Sequence, residues 1–212
     1  MHSVFVLDDH DIVRFGLETL IEASGLLRVV GSSATLSEGL GRIAVLQPDL
    51  VISDMSMDDS KGLDTVKAVV QAQKPRPVLI VSMHDELIYA EQVLALGARG
   101  YVMKENAHAM VMPAAQALLR GERWVSNVVN SRILSRMMKH ARPGENAATA
   151  ASQLTVRELQ VLEKLGLGKT TKEIAFELDL SSRTVDIHRA HIKKKLHLKS
   201  GSELIAFAIS RL

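Results

Sequence analysis

Five short apolar runs, each followed by an amphipathic stretch, dominate residues 4 to 119 and constrain the fold more than any other feature. The runs are Val4-Phe5-Val6-Leu7, Val29-Val30, Leu50 to Ser53, Val78-Leu79-Ile80-Val81 and Tyr101-Val102-Met103. Helical periodicity follows each of them, over Ile12 to Ala23, Leu36 to Leu46, Leu63 to Val70, Ile88 to Leu96 and Ala107 to Leu119. In the first of these helices Val13, Leu17, Leu20 and Ile21 share one face. Strands that alternate with helices at this spacing predict a parallel sheet covered on both sides. Ligands of such sheets sit beyond the carboxyl ends of the strands.

The residues at those ends are not bland. The first strand runs into Asp8-Asp9, the third into Asp54, the fourth into Ser82 and the fifth into Lys104. Alone, each is an ordinary cap, turn or surface residue. Together they place three carboxylates, a hydroxyl and an ammonium along one edge. Crowded carboxylates repel and call for a cation, and hard oxygen ligands select Mg²⁺. Lysine and a hydroxyl can hold transferred phosphoryl oxygens. The set suits formation of an aspartyl phosphate, with Asp54 as nucleophile.

These segments resemble the receiver domains of two-component response regulators, through "VLDDH", "VISDMSM" with Gly62, "LIVSM" and "GARGYVMK". The resemblance implies a flavodoxin-like, doubly wound α/β fold with five parallel strands in the order 2-1-3-4-5. It makes Asp54 the phospho-acceptor and Asp9 a direct Mg²⁺ ligand. Asp8 would act on the metal through water, and the Ser56 carbonyl would complete the site. Ser82 corresponds to the switch hydroxyl, Tyr101 to the aromatic coupled to it, and Lys104 to the phosphate partner. Two departures stand out. Met57-Asp58 replaces a frequent Met-Pro, so Asp58 and Asp59 add negative charge near the pocket. Met83 puts a large side chain beside the switch hydroxyl.

The rest of the chain differs in charge and pattern. Residues 1–140 carry 14 Lys and Arg against 16 Asp and Glu; residues 141–212 carry 12 against 8. A basic back half is suited to a polyanion. Residues 127–140 read as a helix with Ile133, Leu134 and Met137 apolar. The stretch 141–152 lacks large apolar residues, contains Pro143-Gly144 and reads as a linker. The expected domains are a receiver over 1–122, a helix and linker over 123–152, and a DNA-binding domain over 153–212.

In that last part, Thr155 and Glu158 spell a capping box that opens a helix through Leu165. A short helix over Thr171 to Leu178, a tight turn at Asp179-Leu180-Ser181, and a helix capped by Ser182 and running to about Leu196 make a helix-turn-helix. Val185, Ile192 and Leu196 face inward on the third helix. Arg183, Ile187, Ala190 and Lys194 fall opposite, flanked by Asp186 and His191, with Lys193 at the edge. This face suits a major groove: Arg bonds guanine, and Ile and Ala meet thymine methyls. Arg183 is expected to read a base, and Lys194 with Lys193 and Lys195 to touch phosphates. His188 and His191 lie one turn apart but lack a third metal ligand nearby, which favours packing or phosphate contact.

"LTVRELQVL", "KEIAFEL", "SSRTVDIHRAHIKKKL" and "ELIAFAI" resemble the LuxR-type helix-turn-helix of NarL/FixJ regulators. That implies a small all-α domain of four helices, dimerising through the last, near Ser202 to Ser210. In some relatives lysines at the positions of Asp186 and Ala190 touch DNA; an acid and a methyl group cannot make that cationic contact.

The function expected is therefore a non-enzymatic, phosphorylation-controlled transcription regulator. Its expected partners are a sensor histidine kinase, promoter DNA and a second copy of itself once phosphorylated, with RNA polymerase a further candidate. With no cysteine, no signal peptide and no apolar stretch of membrane-spanning length, it is expected to be cytoplasmic. The alternatives are a regulator whose receiver answers to a ligand or protein, and a haloacid-dehalogenase-like phosphatase. The latter wants an acid two residues after Asp54, where Ser56 stands.

Overall fold

The computed structural model describes residues 1–60, 62–138 and 154–210. The expected linker at 141–152 lies outside them, as does the end of the helix expected over 127–140. The chain divides into two compact units, Met1–Glu86 with Ala90–Arg132, and Leu87–Tyr89 with Ile133–Leu212.

In the first unit, strands β1 (His2–Leu7), β2 (Leu27–Ser33), β3 (Leu50–Ser53), β4 (Val78–Ser82) and β5 (Gly100–Met103) alternate with helices. These are α1 (Asp11–Ala23), α2 (Leu36–Leu46), α3 (Leu63–Gln73), α4 (Glu86–Ala95) and α5 (Ala107–Leu119), and α6 (Asn127–Met138) follows; Leu87–Tyr89 of α4 and the residues of α6 from Ile133 on group with the second unit. All pairings are parallel, in the order β2-β1-β3-β4-β5, as expected. The four apolar residues of β1 and all four residues of β3 are buried, so these strands are covered on both faces. Val4, Val6, Ile52 and Val81 share one side's core with Leu17 and Ile21 of α1 and Val111 and Leu118 of α5.

The β5 edge is not left open. Trp124 donates its N–H to the Arg99 carbonyl and accepts from the Tyr101 N–H, at 3.0 and 2.9 Å, extending the ladder beyond residue 122. Gly100 makes room for that approach, because a Cβ there would lie 3.1 Å from the Trp124 carbonyl and 2.8 Å from Leu79. This bridge occupies the start of the β5 edge, around Gly100.

The second unit contains α7 (Val156–Gly166), α8 (Thr171–Glu177), α9 (Ser182–Lys195) and α10 (Gly201–Ile209). Thr155 and Glu158 form the expected capping box, and Thr170 and Glu173 form another that the sequence reading did not single out. Ser181, not Ser182, caps α9: its side chain accepts from the Thr184 N–H, and its extended backbone leaves Ser182 as the first helical residue. Asp179, at φ +53°, makes the turn between α8 and α9. Leu159, Leu162, Ile174, Val185, Ile192, Leu196 and Leu204 form the buried centre.

Candidate functional site

Strand register brings the expected acids together. Leu7 pairs with Ser53, so the next residues, Asp8 and Asp54, emerge side by side. Ser82 pairs with Met103, so Lys104 emerges next to them. The Asp54 N–H donates to the Leu7 carbonyl at 2.7 Å, continuing the ladder to Asp54 itself. Lys104 Nζ lies 2.6 Å from Asp54 Oδ2 and 2.8 Å from Asp8 Oδ2. An isolated charge at this depth costs several kcal/mol, and the ammonium offsets two carboxylates at once. The Met55 and Ser56 N–H groups donate to Asp54 Oδ1 at 2.6 and 3.2 Å.

Burial pushes the Asp54 carboxyl above its usual range, against the pull of Lys104. Burial works against the charge on Lys104 as well, yet hydrogen bonds to Asp54 and Asp8 prevail and hold its pKa above the ordinary value. Ligand atoms of Asp8, Asp9, His10 and Asp54 all lie within 4.8 Å of one another. The carboxylates fit a small hard cation. His10, which the sequence reading passed over, holds Nδ1 2.7 Å from Asp9 Oδ1.

Ser82 and Tyr101 are both buried beside this pocket, and His84 joins them. The His84 N–H donates to Ser82 Oγ at 3.2 Å, and its carbonyl accepts from the Tyr101 hydroxyl at 2.7 Å. Its ring Nε2 lies 2.9 Å from Ser56 Oγ, joining the loops after β3 and β4. Tyr101 is only 1 % exposed, its hydroxyl directed to the His84 carbonyl. Met83, by contrast, is largely exposed.

On α9, Arg183, Asp186, Ile187, Ala190, His191 and Lys194 are exposed in one stripe, and Lys193 is half-buried at its edge. Lys195 departs from expectation. Its Nζ is 2.6 Å from Oε2 of Glu158, a nearly buried carboxylate that also accepts from the Thr155 N–H. Lys195 thus ties α9 to α7.

Residues 4–116 match the response regulator receiver domain, and residues 152–208 match the bacterial regulatory proteins of the luxR family. The chain is a response regulator of the NarL/FixJ type. The regulator is 32% identical over 210 residues to the transcriptional regulatory protein LiaR of Bacillus subtilis, covering 98% of this chain and 97% of the relative. It is 29% identical to the oxygen regulatory protein NreC of Staphylococcus carnosus, covering 99% and 97%. RcsB of Salmonella enterica, solved on promoter rprA with the phosphomimetic BeF3−, matches its fold with a TM-score of 0.77 at 23% identity, over 98% of both chains. The regulator thus joins a receiver to a LuxR-type DNA-binding domain, and acts in transcription. Among its described residues no helix is long and apolar enough to cross a membrane.

The regulator's loop after β3 is anchored without the frequent proline. Asp59 turns away to α2, where Oδ1 accepts from the Leu36 N–H at 2.8 Å and Oδ2 from the Ser37 N–H at 2.9 Å. Burial opposes its charge, but these N–H groups prevail and hold its pKa low. Its charge therefore serves the helix N-terminus and does not simply add to the pocket's. Asp59→Ala should cost about 1 kcal/mol, the usual value of a cap. Urea unfolding measures it, and an unchanged midpoint would show that the loop gains nothing from this bond.

Proposed function

We propose that Asp54 accepts a phosphoryl group from the phosphohistidine of a sensor kinase, and that this modification promotes paired binding of the chain to promoter DNA. The observation that carries the reading is the Asp54 carboxylate, buried at the end of β3 and held between Lys104 and two backbone N–H groups. A carboxylate oxygen attacks phosphorus, the P–N bond breaks, and the kinase imidazole departs with the electron pair. Asp8, Asp9, Asp54 and the Ser56 carbonyl would hold Mg²⁺, which supplies charge neutralisation for the transferred group when bound. Lys104, already between two carboxylates, is in reach to bind a phosphoryl oxygen.

Ser82 is the next participant. If its hydroxyl turns to the phosphoryl group, it ceases to accept from the His84 N–H. His84 also carries the carbonyl that holds Tyr101, so the change passes to the segment between β4 and α4. The exposed stripe on α9 supports DNA reading, with Arg183 on a base and Lys193 and Lys194 on phosphates. Ile187 and Ala190 would meet thymine methyls, and His191 lies on the flank. Ile205 and Ile209, both exposed on α10, support self-association through that helix. RNA polymerase is a further partner of such a regulator, and the cytoplasm its place of action.

Sedimentation of protein–DNA mixtures tests the reading. With acetyl phosphate and Mg²⁺, two copies should occupy a site of paired half-sites. Ser82→Ala should take up the phosphoryl group yet gain little affinity. Tight specific binding by a strictly monomeric chain would contradict it.

A further inference from the structure

We propose that Asp186 makes α9 a reader of cytosine, an inference that rests on the DNA-reading function above. Asp186 lies on the exposed stripe of α9, one turn after Arg183 and next to exposed Ile187; its side chain is 64% exposed. It stands in the first half of the helix, the part that meets base edges in a helix-turn-helix. A carboxylate there can only accept hydrogen bonds. The major groove offers two amines, on cytosine N4 and adenine N6. Adenine sets its amine beside the N7 acceptor, which repels a carboxylate and is better matched by an amide carrying both donor and acceptor. Cytosine presents its amine without a neighbouring acceptor on the same base.

A second observation places a counter-charge beside this carboxylate. Arg189 Nη1 lies 3.6 Å from Asp186 Oδ1 and donates to Thr171 Oγ1 of α8 at 2.7 Å. Arg189 is therefore pinned between the two helices of the motif and cannot itself reach far into a groove. Its charge offsets that of Asp186, which eases the approach of an acid to a polyanion. The regulator would then read cytosine with Asp186 and guanine with Arg183, one helical turn apart.

Selection from randomised DNA, with the full chain phosphorylated by acetyl phosphate and Mg²⁺, tests this. Wild type should prefer cytosine by roughly tenfold or more at one position of each half-site. Asp186→Ala should level that position and keep the rest of the motif, which also reports that the helix is folded. Asp186→Asn, nearly the same shape with a donor added, should move the preference there to adenine. The same base at every position in all three proteins would overturn the proposal, as would an Asp186-dependent position that is not cytosine. If wild type enriched no sequence, the DNA-reading function itself would fall, and the cytosine assignment with it.

Discussion

Asp54→Asn should gain no phosphoryl mass from acetyl phosphate and Mg²⁺ under conditions that modify most of the wild type. The amide is nearly isosteric, so Met55 and Ser56 can still donate to it, and Lys104 keeps its ion pair with Asp8. What disappears is the nucleophile, because a neutral amide oxygen does not form a stable acyl phosphate here. The expected effect is complete loss without unfolding. Intact mass reads the first and thermal unfolding the second. A stable phosphoryl adduct on the variant would move the acceptor to another residue.

The other large effect is expected on DNA. Arg183→Ala should weaken a specific site by a factor corresponding to about 1–3 kcal/mol and leave random DNA nearly unaffected. Arg183 is the second residue of α9 and fully on its exposed stripe. Lys194 lies three turns on, where the helix should be leaving the groove under the proposed reading. Lys194→Ala should weaken both DNAs alike and lower the salt slope by about one, since a phosphate contact releases counterions and ignores sequence. Titrations of both variants on both DNAs across a salt series separate these roles. Equal losses on the two DNAs for Arg183→Ala would remove its base-reading role.

The parallel sheet and the convergence of Asp8, Asp54, Ser82 and Lys104 were legible because each depends on local pattern, whereas the strand order followed only from the resemblance to receiver domains. Period and burial mark the strands, and parallel winding sends all their carboxyl ends to one edge. The contacts of the loops were not legible. His84 meets Ser56 across 28 positions, and Asp59 meets Leu36 across 23, so neither pairing leaves a mark at short spacing. The bond from the Tyr101 hydroxyl to the His84 carbonyl leaves no mark either, because any residue at 84 would supply that acceptor. Thr170 and Glu173 carried the same spelling as Thr155 and Glu158, and could have been read as a cap. The two adjacent serines at 181 and 182 could not be ranked, since backbone conformation decides between them. Lys195 stands in a basic run, and only the fold brings the buried Glu158 carboxylate opposite it, 37 positions away.

Control of DNA binding by the charge on Asp54 is the central claim, and one titration addresses it. The affinity of wild type and Asp54→Asn for a selected promoter site is measured with and without acetyl phosphate, at fixed Mg²⁺ and salt. Coupling between two sites is typically worth about 1–3 kcal/mol, so phosphorylated wild type should bind roughly 5- to 150-fold more tightly. Asp54→Asn should show a single, lower affinity in both conditions. A variant that gained affinity with the phosphoryl donor, or a wild type that became fully phosphorylated with no change in affinity, would contradict the account.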